Sequence, residues 1–198
     1  MLVCIPLGWV TLTPPLIEKI KWAINAGYRI EFTISNRVDL NRSICISIAK
    51  RYKEDLIMMD ADVTIENTPD ELEEILEDDK NADVVIGITV SLLGLLVNPP
   101  PPPNVPKYEI NYGSLSFIYL PYKTIEKLKP ISQYRWSETW KEDMYMTYTP
   151  EVSEDVEFLT RLKKEGFKII ADKRIKVRHW KTVPFAYQEV HFEVQTKS

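Results

Sequence analysis

The sequence predicts an α/β fold: an open, mixed but mostly parallel, Rossmann-like sheet flanked by helices. Three observations lead there. Short apolar runs of strand length alternate with segments of helical period from Leu2 to Val90. The helical segments stop at Asn, Gly or charged residues before each new apolar run. Beyond the proline run Pro99–Pro103 two strand-like runs follow each other closely, which argues for mixed strand direction in that half.

Each element has its own signal. "LVCIP" reads as a buried strand, and Leu16, Ile17, Ile20, Ala23 and Ile24 then share one helical face that Asn25 and Gly27 close. "YRIEFTI" resumes the strand pattern, and Leu40, Ile44, Cys45, Ile48, Ala49 and Tyr52 form a second helical stripe. "LIMM" completes a βαβαβ unit. Pro69–Glu77 predicts a short acidic helix and "ADVVIGITV" another buried strand, so the chain up to Val90 reads as an open, mostly parallel sheet. The prolines at 99–103 predict an extended surface crossover. "KYEINY" and "LSFIYL" predict strands on either side of Gly113 and Ser114, and Tyr122–Leu128 a short helix. Residues 130–150 carry Tyr134, Trp136, Trp140, Tyr145 and Tyr148 with neither helical nor strand period. "SEDVEFLTRLKKEGF" is a helix with Ser153 as N-cap and Gly166 as its stop, "KIIAD" and "KVRHW" are strands, and the last residues read as a loose tail. No repeat or linker divides the chain, so one domain spans 1–198, with a first half at 1–97 and a second at 107–180.

Composition narrows the function classes. The 198 residues are 44% apolar and 27% charged, ordinary for a folded domain. A net charge of -4 with no basic stripe argues against coating nucleic acid or an anionic membrane. Cys4 and Cys45 lie among apolar neighbours without zinc spacing, and are expected as two buried thiols in a reducing compartment. The longest apolar run, Val84–Val97, contains Gly, Ser and Thr and is shorter than the roughly 20 residues a membrane span needs. With no basic leader pattern either, the expected location is the cytoplasm, or a host cytoplasm if the chain is viral.

Chemistry concentrates at three places. Asp60 and Asp62 follow the "LIMM" strand, where two carboxylates two residues apart can hold one hard divalent cation beside a diphosphate. Glu154 and Asp155 open a helix, whose N-terminal amides stabilise a charged carboxylate of the kind a general base needs. His179, one of only two histidines, ends a strand from which an imidazole can reach a metal at the same sheet edge.

The order and spacing of these residues resemble glycosyltransferases of the GT-A fold, especially those like family 2, over essentially the whole chain to His179. "DLNRSICISIAKRYKEDLIMMDADV" is similar to the family's helix and strand leading to its DxD motif, here Asp60, Ala61 and Asp62. "YGSLSFIYLPYKTIEKL" is similar to its glycine loop, strand and short helix, and "SEDVEFLTRLKKEGFKIIADKRIKVRH" to its acid pair, helix and terminal histidine. The resemblance implies a nucleotide-diphosphate sugar donor, linked to UDP or GDP, whose diphosphate is bound through Mn²⁺ or Mg²⁺ held by Asp60, Asp62 and His179. It implies Asp155 as the base, flanked by Glu154, and inversion at the anomeric carbon. Pro6 on the opening strand, Asn36 after the second strand and Arg42 fall on the donor side, with Ala61 inside the motif. Gly113, Ser114 and Trp136 fall on the side of the acceptor, a glycan, protein or lipid. Two departures stand out: Leu40-Asn41-Arg42 replaces the usual Arg-Asn pair, and Ser35-Asn36 replaces the Asp that commonly holds a uracil edge.

Two rival readings remain. "LIMMDADVTI" also looks like the first motif of haloacid-dehalogenase phosphatases, although here it follows the third strand rather than the first. The same fold can also serve as a catalytically silent binding or assembly protein. The compact size and isoleucine-rich composition are similar to those of glycosyltransferase-like proteins carried by viruses of archaea.

Overall fold

The computed structural model describes residues 1–8, 13–91, 94–95 and 97–180. The expected tail lies mostly outside them. In chain order the elements are β1 (Leu2–Leu7), α1 (Pro14–Asn25), β2 (Arg29–Ile34), α2 (Val38–Tyr52), β3 (Leu56–Met59), β4 (Val63–Ile65), α3 (Pro69–Asp78) and β5 (Val84–Gly87). There follow β6 (Val90–Ser91), β7 (Gly94–Leu95), β8 (Val97–Asn98), β9 (Lys107–Glu109), β10 (Tyr112–Gly113), β11 (Phe117–Leu120) and α4 (Tyr122–Ile125). The chain continues through β12 (Ser132–Arg135), β13 (Lys141–Met144), α5 (Glu154–Lys164), β14 (Ile169–Asp172) and β15 (Val177–His179).

A seven-stranded sheet in the order β2-β1-β3-β11-β5-β14-β9 forms the centre. β2, β1, β3, β5 and β14 run in one direction, β11 and β9 in the other. The sheet is therefore mixed and mostly parallel, as the sequence predicts. One expectation needs correction: the strands before Val90 do not form a continuous parallel sheet. β11 inserts antiparallel between β3 and β5, pairing Phe117 with Met59 and Ile118 with both Met58 and Ile86. β3 and β5 are apolar throughout because both faces are covered.

α1 sits differently from its expected stripe. Pro15, Leu16, Lys19 and Ala23 are its buried residues, while Ile17 and Ile24 are exposed. The helix is turned so that a lysine rather than an isoleucine faces the sheet, and Lys19 finds its partner there. α2 buries Leu40, Cys45, Ile46 and Ala49 together with a polar first turn of Asp39, Asn41, Arg42 and Ser43. These polar side chains have partners: Asn41 Nδ2 donates to the carbonyls of Leu7 and Ser35, and Ser43 Oγ accepts from the Tyr145 and Met146 amides.

The cysteines are a second correction. Cys4 on β1 and Cys45 on α2 are joined in a disulfide, with Cα atoms 5.7 Å apart, and both are fully buried. Their side chains meet because each points from its element into the same layer between sheet and helix. The pair gives no support to a reducing compartment.

Three local differences have simple causes. "KYEINY" is two strands, β9 at the sheet edge and β10 paired with β8. β12 and β13 form an antiparallel hairpin within the aromatic stretch, hidden from the sequence because its strands are largely exposed and lack an apolar alternation. β4 is only three residues long and is completed by β15, over a hundred residues later in the chain. The proline crossover is ordered as expected, with Lys173 Nζ donating to the Pro102 carbonyl and the Lys173 amide to that of Pro106. Among the described residues no helix is long and apolar enough to cross a membrane.

Candidate functional site

The sheet brings distant residues to one edge. Because β11 is antiparallel to β3, the loop Gly113–Ser116 before it arrives where β3 ends, and the Asp60 amide donates to the Ser116 carbonyl at 3.1 Å. Asp60, Ala61 and Asp62 turn from β3 into β4 there. Ser114 Oγ and Ser116 Oγ share a hydrogen bond of 2.7 Å that shapes the glycine loop. The loop amide of Leu115 donates to Asp155 Oδ2 at 3.1 Å, tying the start of α5 to the same edge.

Arg42 is the hub. Its side chain is only 4% exposed, and its guanidinium meets three carboxylates. Nη2 donates to both Asp60 oxygens, at 2.8 and 3.0 Å, while Nη1 donates to Glu154 Oε1 at 2.9 Å and to Asp155 Oδ1. Burial works against the charged guanidinium, but Asp60, Asp155 and Glu154 outweigh it and raise its pKa. Burial raises the Glu154 pKa, with Asp155 adding to the effect and Arg42 opposing it. The sequence reading puts Arg42 on the donor side as a displaced phosphate contact. The structure places it between the two acidic clusters.

Asp62 and His179 make a second pair. β15 runs antiparallel to β4 with His179 opposite Val63, so the imidazole lands beside Asp62, and Nε2 lies 2.9 Å from Asp62 Oδ2. The Trp180 amide donates to the Asp62 carbonyl at 2.7 Å and extends the ladder by one bond. His179 Nδ1 is buried without a hydrogen-bond partner.

Lys19 is the residue that the sequence reading missed. It is 1% exposed, and Nζ donates to the Asp60 carbonyl. Burial lowers its pKa to about 8, against the attraction of Asp60 and Asp62. The signal was present: Lys19 stands three residues after Leu16 and four before Ala23, on the buried stripe of α1. Because burying this cation is costly, Lys19→Met is expected to raise stability by about 1–2 kcal/mol, the lost hydrogen bond offsetting part of the gain. Urea unfolding checks it; a lowered midpoint would show that the ammonium is net stabilising.

The other expected residues are placed as follows. Pro6 is buried in β1 opposite Thr33. Asn36 is exposed at the bend between β2 and α2. Gly113 and Ser114 are buried and line a cavity of about 220 Å³ together with Asp155. Trp136 stands on the β12–β13 hairpin, stacked on Trp140 with ring centroids 5.3 Å apart, and both are exposed.

Asp62 and His179 offer one carboxylate and one imidazole, a donor set suited to Mn²⁺ and, through the carboxylate, to Mg²⁺, with diphosphate and water oxygens completing the shell. Asp60 has both oxygens engaged by Arg42. Among the described residues no group of three His, Cys, Asp or Glu side chains is arranged to hold a metal. The fit is to an ion shared with a ligand rather than to a closed protein cage.

No protein-family model and no curated protein matches the sequence. Among solved structures, the crystal structure of A197 from STIV is similar, with a TM-score of 0.67 and 21% identity over 91% of this chain and 85% of that one. A glycosyltransferase involved in the glycosylation of the major capsid of PBCV-1 aligns with a TM-score of 0.40 and 13% identity over 63% of this chain and 62% of its own. The inositol-1-phosphate CTP transferase from T. maritima aligns with a TM-score of 0.47 and 13% identity over 91% and 88%. The likeness to A197 is one of fold, a mixed α/β sheet flanked by helices.

Proposed function

We propose that this protein is a metal-dependent glycosyltransferase that moves a sugar from a UDP- or GDP-linked donor to an acceptor hydroxyl. The observation that carries this reading is the Arg42 bridge, which sets the Asp60 carboxylate at the end of β3 and the Asp155 carboxylate at the start of α5 around a single guanidinium. Two acidic clusters at the C-terminal edge of parallel strands suit a donor on one side and a base on the other.

In this reading Asp62 and His179 hold Mn²⁺ or Mg²⁺, which when bound supplies charge stabilisation for the departing diphosphate. Asp60 faces the donor ribose. The acceptor oxygen bonds to the anomeric carbon while the bond from that carbon to the phosphate oxygen breaks, its electron pair leaving with the nucleotide diphosphate. Asp155 takes the hydroxyl proton. Attack from the face opposite the leaving group inverts the anomeric configuration. Arg42 keeps Asp155 ionised and oriented, and Glu154 shares its charge.

A binding or assembly role is the second reading, favoured by the same bridge, since Arg42 satisfies Asp60 and Asp155 within the protein. Calorimetric titration of UDP and GDP into metal-stripped protein, with and without Mn²⁺, separates the two. Metal-dependent binding of one diphosphate, abolished in an Asp60→Ala, Asp62→Ala double variant, is the expected result. Binding of neither nucleotide under any condition would leave only the assembly role.

A further inference from the structure

The cavity beside Asp155 has walls whose chemistry names a ligand class. It measures about 220 Å³, below the roughly 300–1,000 Å³ of common small-molecule sites, so one ring fits and a peptide segment does not. Tyr112, Val97 and Val156 give it apolar surface, while Asn98 and Ser153 give it hydrogen-bonding groups. Among the described residues that line it, Asp155 alone is charged.

The walls are braced from behind. β8 and β10 pair Tyr112 with Asn98 and Gly113 with Val97. The Asn111 amide donates to the Asn98 carbonyl at 2.7 Å, and Asn111 Nδ2 donates to Asn98 Oδ1 at 3.1 Å. The proline run begins immediately after Asn98, where prolines with fixed φ restrict the chain on that side, and Lys173 anchors it further on. The prolines thereby hold one wall of the cavity in place.

We infer that this cavity is the acceptor subsite and that it takes a single neutral pyranose ring, the terminal sugar of a saccharide. The inference rests on the glycosyltransferase reading and deepens it. A sugar ring has apolar C–H faces to lie on Tyr112 and hydroxyl edges to meet Asn98 and Ser153, and one of its hydroxyls then faces Asp155. A carboxylate as the sole charge repels phosphorylated lipid carriers and sugar acids, so the acceptor is neutral. The balance of the step is that of the proposed reaction: the ring hydroxyl oxygen gains the transferred sugar, its proton passes to Asp155, and the nucleotide diphosphate leaves.

The test uses the full chain saturated with the nucleotide diphosphate that calorimetry selects, or with UDP and Mn²⁺ if none is selected. Methyl hexosides are screened by saturation-transfer NMR against hexose 6-phosphates and hexuronates. Ring-proton transfer from a neutral hexoside, lost in both Tyr112→Ala and a cavity-filling Val156→Trp variant, is expected. In the transfer assay the Tyr112→Ala variant should then show an acceptor KM raised about tenfold with donor affinity unchanged. Disaccharide glycosides with the same terminal ring tell a free sugar from a glycan end. No transfer from any neutral hexoside, transfer only from the anionic sugars, or signals indifferent to both variants would overturn the inference. Hexoside binding without nucleotide binding would instead sink the transferase reading and leave a sugar-binding cavity. Nucleotide binding without hexoside binding would do the reverse.

Discussion

Arg42→Met is expected to lower stability by about 3–5 kcal/mol at neutral pH, among the largest losses any single substitution in this chain should produce. The wild-type guanidinium is 4% exposed and carries the charge that balances Asp60, Glu154 and Asp155. Methionine fills most of its volume and supplies neither charge nor donors, so three carboxylates are left facing one another with no cation between them. The pH dependence has a definite sign. Crowded like charges raise carboxylate pKa values above their unfolded range near 4, so the variant's native state binds more protons than its unfolded state. Its stability therefore falls as pH rises from about 4 to 7, and its deficit shrinks on acidification. Urea titrations of both proteins at about pH 4.5 and 7 read this directly; an equal deficit at both values would show that lost packing, not lost charge, is responsible. Arg42→Lys keeps the charge but cannot grip Asp60 with both oxygens while reaching α5, so an intermediate loss is expected.

The second large effect belongs to the disulfide. Cys4 and Cys45 close a loop of 41 residues, for which the chain-entropy account gives about 4 kcal/mol. Replacing both with alanine is expected to lower the melting temperature by roughly 8–15 °C, judged from the usual response of chains of this size. Cys45 lies three residues after Arg42, on the same face of α2, so the bridge pins to β1 the helix that carries the hub. Calorimetric melts of the oxidised protein, the reduced protein and the alanine variant check it. If the oxidised and reduced forms melt together, the crosslink contributes nothing.

Much of the fold was legible because local pattern and global place agree. The βαβαβ start through β3, the capped helix α5 and the late strands β14 and β15 all follow from period and punctuation. β11 was legible as a strand but not as the centre of the sheet, since nothing in "LSFIYL" says which strands it will separate. The hairpin β12–β13 has no buried face, so the pattern that marks other strands is absent. At the candidate site, Asp60, Asp62, Asp155 and His179 were found by spacing, and the structure brings Asp60 to Asp155 through Arg42, and Asp62 to His179. Arg42 was found with a different partner, because a cation's neighbours are set by tertiary distance, not by motif. Lys19 was passed over because the isoleucines beside it gave a more apolar stripe, and only the carbonyl of Asp60 explains the helix's rotation.

The position of β11 also bears on how the chain can be made. β3 is complete at Met59 and β5 at Gly87, yet neither is flanked on its inner side until Phe117–Leu120 has emerged from the ribosome. For that interval two strands of the buried type expose unpaired backbone, a standing invitation to pair with each other or with another chain. The sheet closes only when a late segment slides between two early ones. Nascent chains stalled before that point are therefore the species most exposed to aggregation, and the first half is not a unit that can fold ahead of the second.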